Sequence, residues 1–298
     1  MPLTLGGSSN SAGFAAFQLN KSQSLLEKSL ERISSGQRIL DASDDPGNLA
    51  VSMKLNTAIN MTDAMNINVS NALSFSESQD GALNTAGDIL TRMSELRTAY
   101  DDVLATTSEK DNYNIEFQEL RASLGDLMSE QFNDVSLFSE TESGGMTVYT
   151  TASGSSAGLG IEMGKLNLTA ALNTFTTDTS SEAATNAEAL FGSSNAAGTA
   201  SLGDFSTANI TEAISGVASL RAESGAISSR LTFSQERLSS SKLELENAYS
   251  RIMDVDLASE LTNYTKQNVQ VYAASAMLMQ ANLNMSIVSD LLMVNLKG

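Results

Sequence analysis

Apolar residues recur along the first half of the chain at alternating spacings of four and three. Between residues 51 and 103, fifteen positions fit this spacing and eleven of them are apolar. Such a heptad pattern predicts a long helix that buries one seam against a partner helix, although Gly81 and Gly87 weaken its middle. The positions are Val51, Leu55, Ala58, Thr62, Met65, Val69, Ala72, Ser76, Gln79, Leu83, Ala86, Leu90, Met93, Arg97 and Tyr100.

The second half repeats the pattern and predicts a second long helix, with the first as its partner. No proline follows Pro46, so long helices are permitted almost everywhere after it. A shorter helix is predicted around Ile115 to Met128. The second seam consists of Ile227, Leu231, Ser234, Leu238, Ser241, Leu245, Ala248 and Ile252.

Both ends of the chain carry similar stripes with few charges. In the N-terminal segment the leucines and isoleucine are spaced by sevens, and the turn chemistry of residues 44–47, Asp-Asp-Pro-Gly, predicts that this helix stops there and another begins. The N-terminal stripe is Leu19, Leu26, Ile33 and Leu40, with Leu30 beside it. The C-terminal stripe is Leu257, Tyr264, Val271, Ala274, Leu278, Ala281, Met285, Val288 and Leu292.

The middle of the chain differs in kind. Residues 139–207 are dominated by Gly, Ser, Thr and Ala, and Lys165 is their only cation. Residues 146–151 and 159–163 flank a Ser- and Gly-rich run, which predicts a β-hairpin of short strands. Residues 166–206 show only weak local helical periodicity. We expect this region to be loop and surface.

These patterns predict a mainly α fold. It is an elongated antiparallel helical bundle or coiled coil of N- and C-terminal segments, with a small β-hairpin and a short variable region in the middle. We expect a terminal helical domain of residues 1–43 and 256–298 that folds on assembly. A rod domain comprises residues 44–138 and 207–255, and residues 139–206 form the hairpin and the exposed variable region.

The amino-acid composition excludes most catalytic and metal-binding chemistry. The chain has a formal charge of −18 and contains no His, Cys or Trp, so we expect no catalytic triad, thiolate nucleophile, cofactor or ordinary zinc or haem site. Its acidity disfavours nucleic acid and anionic membrane surfaces. No run is apolar and long enough for membrane insertion, and no cleavable signal peptide is visible.

Paired aspartates could suggest a metal site. Asp44 and Asp45 adjoin Pro-Gly, and Asp254 and Asp256 lie between predicted helices, so we interpret them as turn and helix-capping residues. No twelve-residue calcium loop is present. Asp101-Asp102 is interpreted as a solvated helix end.

The terminal stripes need a surface to bury them, because isolated amphipathic helices are only marginally stable in water. We therefore expect the ends to fold on association and the chain to be a polymerising subunit. An ordinary intramolecular core is the alternative. The predicted self-assembly residues are Leu19, Leu26, Leu30, Ile33, Leu257, Tyr264, Val271, Ala274, Leu278, Ala281, Met285, Val288 and Leu292.

Both ends of the sequence resemble bacterial flagellin. The resemblance covers roughly residues 15–138 and 207–292 in order and spacing, and the short middle implies a form without large outer domains. The N-terminal motifs are Glu31-Arg-Ile-Ser-Ser-Gly-Gln-Arg-Ile39, Gly81-Ala-Leu-Asn84 and Leu90-Thr-Arg-Met-Ser-Glu-Leu96. The C-terminal motifs are Gly225-Ala-Ile-Ser-Ser-Arg-Leu231, Asp254-Val-Asp-Leu-Ala-Ser-Glu-Leu261 and Met279-Gln-Ala-Asn282.

The resemblance implies a structural, non-enzymatic subunit of the extracellular flagellar filament that serves motility. It implies secretion through a flagellar type III channel, an export chaperone on the C-terminal helix, and contacts with filament cap and hook-junction proteins. Arg92 and Leu96 match the segment read by a flagellin-sensing Toll-like receptor. Ser94 stands where the family often has a second arginine.

Other functions remain open at this point. A hook-filament junction protein would differ in where it assembles, and the Met279-to-Asn282 pattern favours the filament subunit over it. A rod-shaped surface adhesin would instead present residues 147–206 to a ligand. An enzyme in the middle region is least favoured, because the region offers acids and hydroxyls without a base of suitable pKa.

Overall fold

The computed structural model describes residues 6–138, 145–151, 160–164, 166–172 and 201–296. They are mainly helical: α1 is Gly6–Ser35, α2 Pro46–Tyr100, α3 Thr107–Met128, α4 Leu168–Leu172, α5 Thr207–Met253 and α6 Leu257–Leu296. The strands are β1 Gln131–Phe132, β2 Val135–Ser136, β3 Met146–Tyr149 and β4 Gly160–Met163, and a 3-10 helix spans Leu202–Asp204. The predicted mainly α class with a small hairpin is confirmed.

Two compact units divide the chain. One consists of Met1–Ala58 with Glu244–Gly298, and the other of Ile59–Leu243. Helices α2 and α5 each contribute to both units. The boundaries differ from the predicted three-part division, which stays a prediction.

In the unit of residues 59–243, the α2 seam is buried as the heptad pattern predicts. The positions from Thr62 to Met93 are buried, apart from a half-buried Met65. The α5 seam also faces inward, and it begins earlier than predicted: Ile210, Ala213 and Val217 are buried upstream of Ile227. The two helices run antiparallel, because the hydroxyl groups of Ser76 and Ser224 lie 3.3 Å apart while Asp63 pairs with Lys242 at 2.6 Å.

Helix α3 covers this pair and begins eight residues before the predicted Ile115. Its start is fixed by a capping box between Thr106 and Glu109, which satisfies backbone N–H groups at both positions. Phe117 and Leu124 are fully buried. The Phe117 ring lies 5.3 Å from that of Phe205, centroid to centroid.

The strands form two small antiparallel pairs. The predicted hairpin is confirmed as β3–β4, in which Met146 pairs with Met163 and Tyr149 with Gly160. The pair β1–β2 was not predicted. Asn133 and Asp134 connect it with φ angles of 51° and 61°, the backbone that a tight two-residue hairpin turn requires.

The described ends of the variable region differ from the expected loop and surface. Five of its apolar side chains are buried in the core, each no more than 3% exposed. The weak helical expectation for residues 166–206 is met only by α4 and the short 3-10 helix, and residues 173–200 lie outside the described residues. The five buried residues are Leu166, Leu168, Leu172, Leu202 and Phe205.

In the unit of residues 1–58 and 244–298, α1 and α6 pack against each other. Helix α1 ends at Ser35, earlier than the turn at Asp44 predicted. Gly36 has a φ of 72° and donates its N–H to the carbonyl of Arg32 at 2.9 Å, which is a glycine helix stop. Leu40 therefore lies beyond the helix.

Candidate functional site

The fully buried positions of α1 and α6 hold small or polar side chains, and larger ones such as Leu19, Leu26 and Leu278 are half-buried. Ala15, Ser22 and Ser29 of α1 are buried, and so are Ala274 and Glu260 of α6. Small residues allow two helices to approach closely, but they bury little apolar area per residue.

Two buried polar atoms on these helices have no hydrogen-bond partner among the described residues. They are the Nε of Arg32 and the Oε1 of Gln267. An unsatisfied buried polar group costs about 1–3 kcal/mol. These two atoms therefore lower the stability that packing of this helix pair provides.

Large apolar side chains lie on the other side of both helices and face outward. On α6, Leu261, Tyr272, Met279 and Leu283 are 51–69% exposed. Their spacings of eleven, seven and four residues place them on one face of the helix. Further exposed residues on the two helices are Phe14, Phe17, Leu25, Leu30, Leu257, Val269, Met277, Met285, Ile287 and Met293.

We call these exposed side chains of α1 and α6 the outer apolar face. It comprises fourteen large apolar residues, and exposed apolar patches beyond a few hundred Å² mark interaction sites. On the inner side of this helix pair, half-buried large side chains accompany the small buried ones, while the large side chains of the outer apolar face are exposed.

The predicted self-assembly residues divide between the two faces. Leu19, Leu26, Ile33, Tyr264, Val271, Ala274, Leu278 and Ala281 are buried or half-buried, whereas Leu30, Leu257 and Met285 are exposed. The side chains of Val288 and Leu292 lie outside the described residues. Whether any of them takes part in assembly stays a prediction.

Sequence reasoning missed most of the outer apolar face, because the heptad template selects one stripe per helix. Phe14 and Phe17 precede the first predicted position, and Leu261, Tyr272 and Met279 fall between the chosen positions of α6. The signal was available as a second stripe on a helix with few charges.

The segments that join α1 to α2 and α5 to α6 are hydrogen-bonded to each other. The Arg38 N–H donates to the Met253 carbonyl at 2.6 Å, and the Val255 N–H donates to the Gly36 carbonyl at 3.0 Å. The Arg38 guanidinium also donates to the Ile252 carbonyl at 2.8 Å. We call residues 36–45 and 252–256 the joint.

Asp44 anchors the joint to α1. Its side chain is 5% exposed and accepts a hydrogen bond from the Lys28 ammonium, and Arg32 lies 3.5 Å away. The hydrogen bond from Lys28 is the largest cause that lowers the pKa of Asp44, and the Leu40 N–H and the charge of Arg32 lower it further. Asp44 is therefore held as a carboxylate.

Asp45 and Asp256 act as helix caps, as predicted, whereas the Asp254 carboxylate accepts a hydrogen bond from the Ser250 hydroxyl. Asp45 accepts from the Asn48 N–H at 3.0 Å with Pro46 as the first residue of α2, and Asp256 accepts from the Ala258 N–H at 3.0 Å. No group of three or more acidic residues in the described ranges is placed to hold a metal ion. None of the helices in these ranges is long and apolar enough to cross a bilayer.

Arg92 and Leu96, which match the segment read by a flagellin-sensing receptor, lie on different faces of α2. Arg92 is exposed and pairs with Glu116 of α3 at 2.7 Å and with Glu95 at 2.9 Å. Its hydrogen bond with Glu116 is the main cause that raises its pKa. Leu96 is 3% exposed and belongs to the core.

Comparisons with known proteins agree with this arrangement. The bacterial flagellin N-terminal helical region matches residues 9–143, and the C-terminal helical region matches residues 207–292. The flagellin of Bacillus subtilis is 31% identical over 89% of this chain and 92% of its own length. The flagellin of Halalkalibacterium halodurans is 30% identical over 89% and 91%.

Two further comparisons extend the picture. The flagellar filament 33 kDa core protein of Treponema phagedenis is 29% identical over 91% of this chain and 94% of its own. A putative flagellar hook-associated protein from Vibrio parahaemolyticus shares the fold with a TM-score of 0.54 at 14% identity, over 71% of this chain and all of that one. From the two matched regions and these relatives, the chain belongs to the bacterial flagellin family and is a structural subunit of the extracellular flagellar filament.

Proposed function

We propose that filament assembly buries the outer apolar face of α1 and α6 against neighbouring subunits. The observation that carries the proposal is the set of large apolar side chains left exposed on this helix pair, such as the 69% exposed Tyr272, while fully buried positions hold small residues such as Ser22 and Ser29. Burying apolar area releases about 25 cal/mol per Å². Assembly would therefore add to the stability of this helix pair.

The terminal domain, residues 1–43 with 256–298, then gains its stability on assembly rather than in the free subunit. The rod domain of residues 44–138 and 207–255 is different, because its seam is filled by large residues such as Leu83, Leu90 and Leu231, all fully buried. We expect it to be folded in the monomer. Residues 139–206 would supply the β3–β4 hairpin and the variable region, whose described ends contribute five buried side chains to the core.

The outer apolar face would also need a binding partner before assembly. We propose that a cytoplasmic export chaperone binds the C-terminal helix across Leu261, Tyr272 and Met279, and that the chain leaves unfolded through a type III channel. A chain without Cys suits such a route, because no disulfide has to form on arrival. Outside, the filament cap and the hook-junction proteins would be its other contacts.

Recognition by a flagellin-sensing Toll-like receptor would use Arg92 together with Glu116, which share an exposed ion pair between α2 and α3. Leu96 would contribute indirectly, because its packing in the core holds α2 in place. In this proposal Arg92→Ala weakens receptor binding without loss of monomer stability.

The assembly proposal is tested by adding ammonium sulfate, which strengthens apolar burial, to purified monomer and imaging it by negative-stain electron microscopy. We expect long tubes of uniform width from the full-length chain. A variant that lacks residues 257–298 is the control and should give none. Tubes from both chains would contradict the proposal. Short closed oligomers or persistent monomers from the full-length chain would likewise contradict assembly through the outer apolar face.

A further inference from the structure

The C-terminal half of α6 exposes mainly methionine. Among its described side chains, the outer apolar face has six members after residue 276, and only Leu283 and Ile287 are not methionines. We call the other four the α6 methionines. They are Met277, Met279, Met285 and Met293, which are 57%, 68%, 37% and 65% exposed.

Other methionines of the chain differ in exposure. Met93 is fully buried and Met163 is 2% exposed, and both belong to the apolar core of residues 59–243. Met53 and Met61 of α2 are 65% and 43% exposed, but they lie outside the outer apolar face. The chain therefore contains thioether groups that solvent reaches and thioether groups that it does not reach.

Exposure decides whether a thioether can react with a dissolved oxidant. The sulfur lone pair attacks one oxygen of a peroxide such as hydrogen peroxide. The S–O bond forms, the O–O bond breaks, and the second oxygen leaves as water with both protons. The sulfur is oxidised by two electrons and the peroxide is reduced. The product, methionine sulfoxide, is polar, and its formation disrupts methionine-rich interfaces.

The surface around these sulfurs is uncharged along α6. No residue between Lys266 and Asp290 carries a charge, so apolar burial has to supply most of the contact energy there. Burying a polar group such as a sulfoxide oxygen costs free energy unless it finds a hydrogen-bond partner. Oxidation of the α6 methionines therefore opposes the covering of this surface by an apolar partner.

We propose that the α6 methionines are an oxidation site that regulates assembly. A small peroxide converts them to sulfoxides in the free subunit, and the oxidised subunit assembles less readily. The inference rests on the proposed burial of the outer apolar face, which would protect the same sulfurs in the filament. Methionine sulfoxide reductases, one for each sulfoxide epimer, make the modification reversible.

Peptide mass spectrometry tests the reaction separately from assembly. Purified monomer is treated with hydrogen peroxide for increasing times, and the sulfoxide fraction is measured at each methionine. We expect Met277, Met279 and Met293 to react about ten times faster than the buried Met93 and Met163. Equal rates at exposed and buried positions would overturn the proposal.

The effect on assembly is measured on the same oxidised monomer. Ammonium sulfate is added, the tubes are sedimented, and the protein left in the supernatant gives the critical concentration. We expect this concentration to rise about tenfold and to return to its original value after treatment with the reductases. Equal critical concentrations of oxidised and untreated subunits would overturn the oxidation proposal alone. Failure of the untreated chain to form tubes would refute the assembly proposal, and the regulation with it.

Two leucine variants assign the effect to α6, because leucine is apolar and of similar volume but has no sulfur. The quadruple variant should keep its critical concentration after peroxide treatment. The matched control Met53→Leu with Met61→Leu removes two exposed methionines of α2 and should stay as sensitive as the unaltered chain. A sensitive quadruple variant, or an insensitive control, would overturn the proposal. The quadruple variant is Met277→Leu, Met279→Leu, Met285→Leu, Met293→Leu.

Protection in the filament is tested on the unaltered chain, so it does not depend on how the variants assemble. Preformed tubes and monomer are exposed to the same concentration of hydrogen peroxide. We expect the α6 methionines to react about ten times more slowly in the tubes than in the monomer. Equal rates in intact tubes and monomer would overturn the proposal.

Discussion

Replacement of the outer stripe of α6 should weaken assembly and leave the monomer intact. The variant Leu261→Ser, Tyr272→Ser, Met279→Ser removes side chains that are 51%, 69% and 68% exposed. Full burial of such a side chain is worth about 1.5–3 kcal/mol. Between half and two-thirds of that remains to be gained on assembly, or about 1 kcal/mol for each residue and about 3 kcal/mol for the three.

Since every 1.4 kcal/mol is a factor of ten, the critical concentration should rise about a hundredfold. The assay sediments the tubes and measures the protein left in the supernatant. Thr262→Ser with Gln280→Asn on the same helix serves as the control, because both positions are exposed and polar. An unchanged critical concentration in the triple variant would refute the reasoning, as would a comparable rise in the control.

Three further changes probe the fold and the joint. Leu90→Ala opens a cavity at a fully buried position and should lower the free energy of unfolding by about 2–5 kcal/mol. Thr91→Ala, on the exposed side of the same helix, should change this free energy little. Equal effects of the two variants in chemical denaturation would contradict the burial of the α2 seam. The folded-state pKa of Asp44 lies below its ordinary 3.8, so the stability that its carboxylate contributes is present above that value and is lost as pH falls through the folded pKa. The variant Asp44→Asn should therefore lose less thermal stability than the unaltered chain between pH 6 and pH 2. An equal loss in both chains would argue against a stabilising hydrogen bond between Lys28 and Asp44. Gly36→Ala places a side chain at a φ of 72° and should lower the stability of the joint by about 1 kcal/mol, which is measured as a lower unfolding temperature. No change would mean that α1 ends at Ser35 for another reason.

Much of the fold could be predicted because the heptad signal is strong where the core is well filled. From Thr62 to Met93 the seam positions follow strict spacings of four and three, and the structure buries all of them except a half-buried Met65. The hairpin followed from strand alternation around a Ser- and Gly-rich run. These features depend on local sequence alone.

The missed features depend on partners that are distant in sequence. Leu168 and Leu202 stand in a polar stretch without periodicity, and their burial comes from packing against α2, α3 and α5. The part of the α5 seam before Ile227 was not predicted, because Ala213 and Ser224 are small or polar. The end of α1 at Gly36 was overlooked because the leucine spacing continued to Leu40, although Ser-Gly is itself a stop signal.

The assembly surface could be predicted only in part. Low charge on the terminal helices predicts that they need a partner, which stays a prediction, and a single stripe per helix could not show that each helix has two. On α6 the heptad positions from Tyr264 to Ala281 are buried or half-buried, whereas Leu257 and Met285 at the ends of the stripe are exposed, as are Leu261, Tyr272 and Met279. Only the pairing of the helices distinguishes the two faces.

The central claim is that the terminal helices gain their stability from neighbouring subunits, and hydrogen–deuterium exchange on monomer and filament tests it most directly. We predict that amides of α1 and α6 exchange rapidly in the monomer and become protected in the filament, while those of α2 between residues 62 and 93 are protected in both. Equal protection of α1 and α6 in the monomer and in the filament would contradict the account.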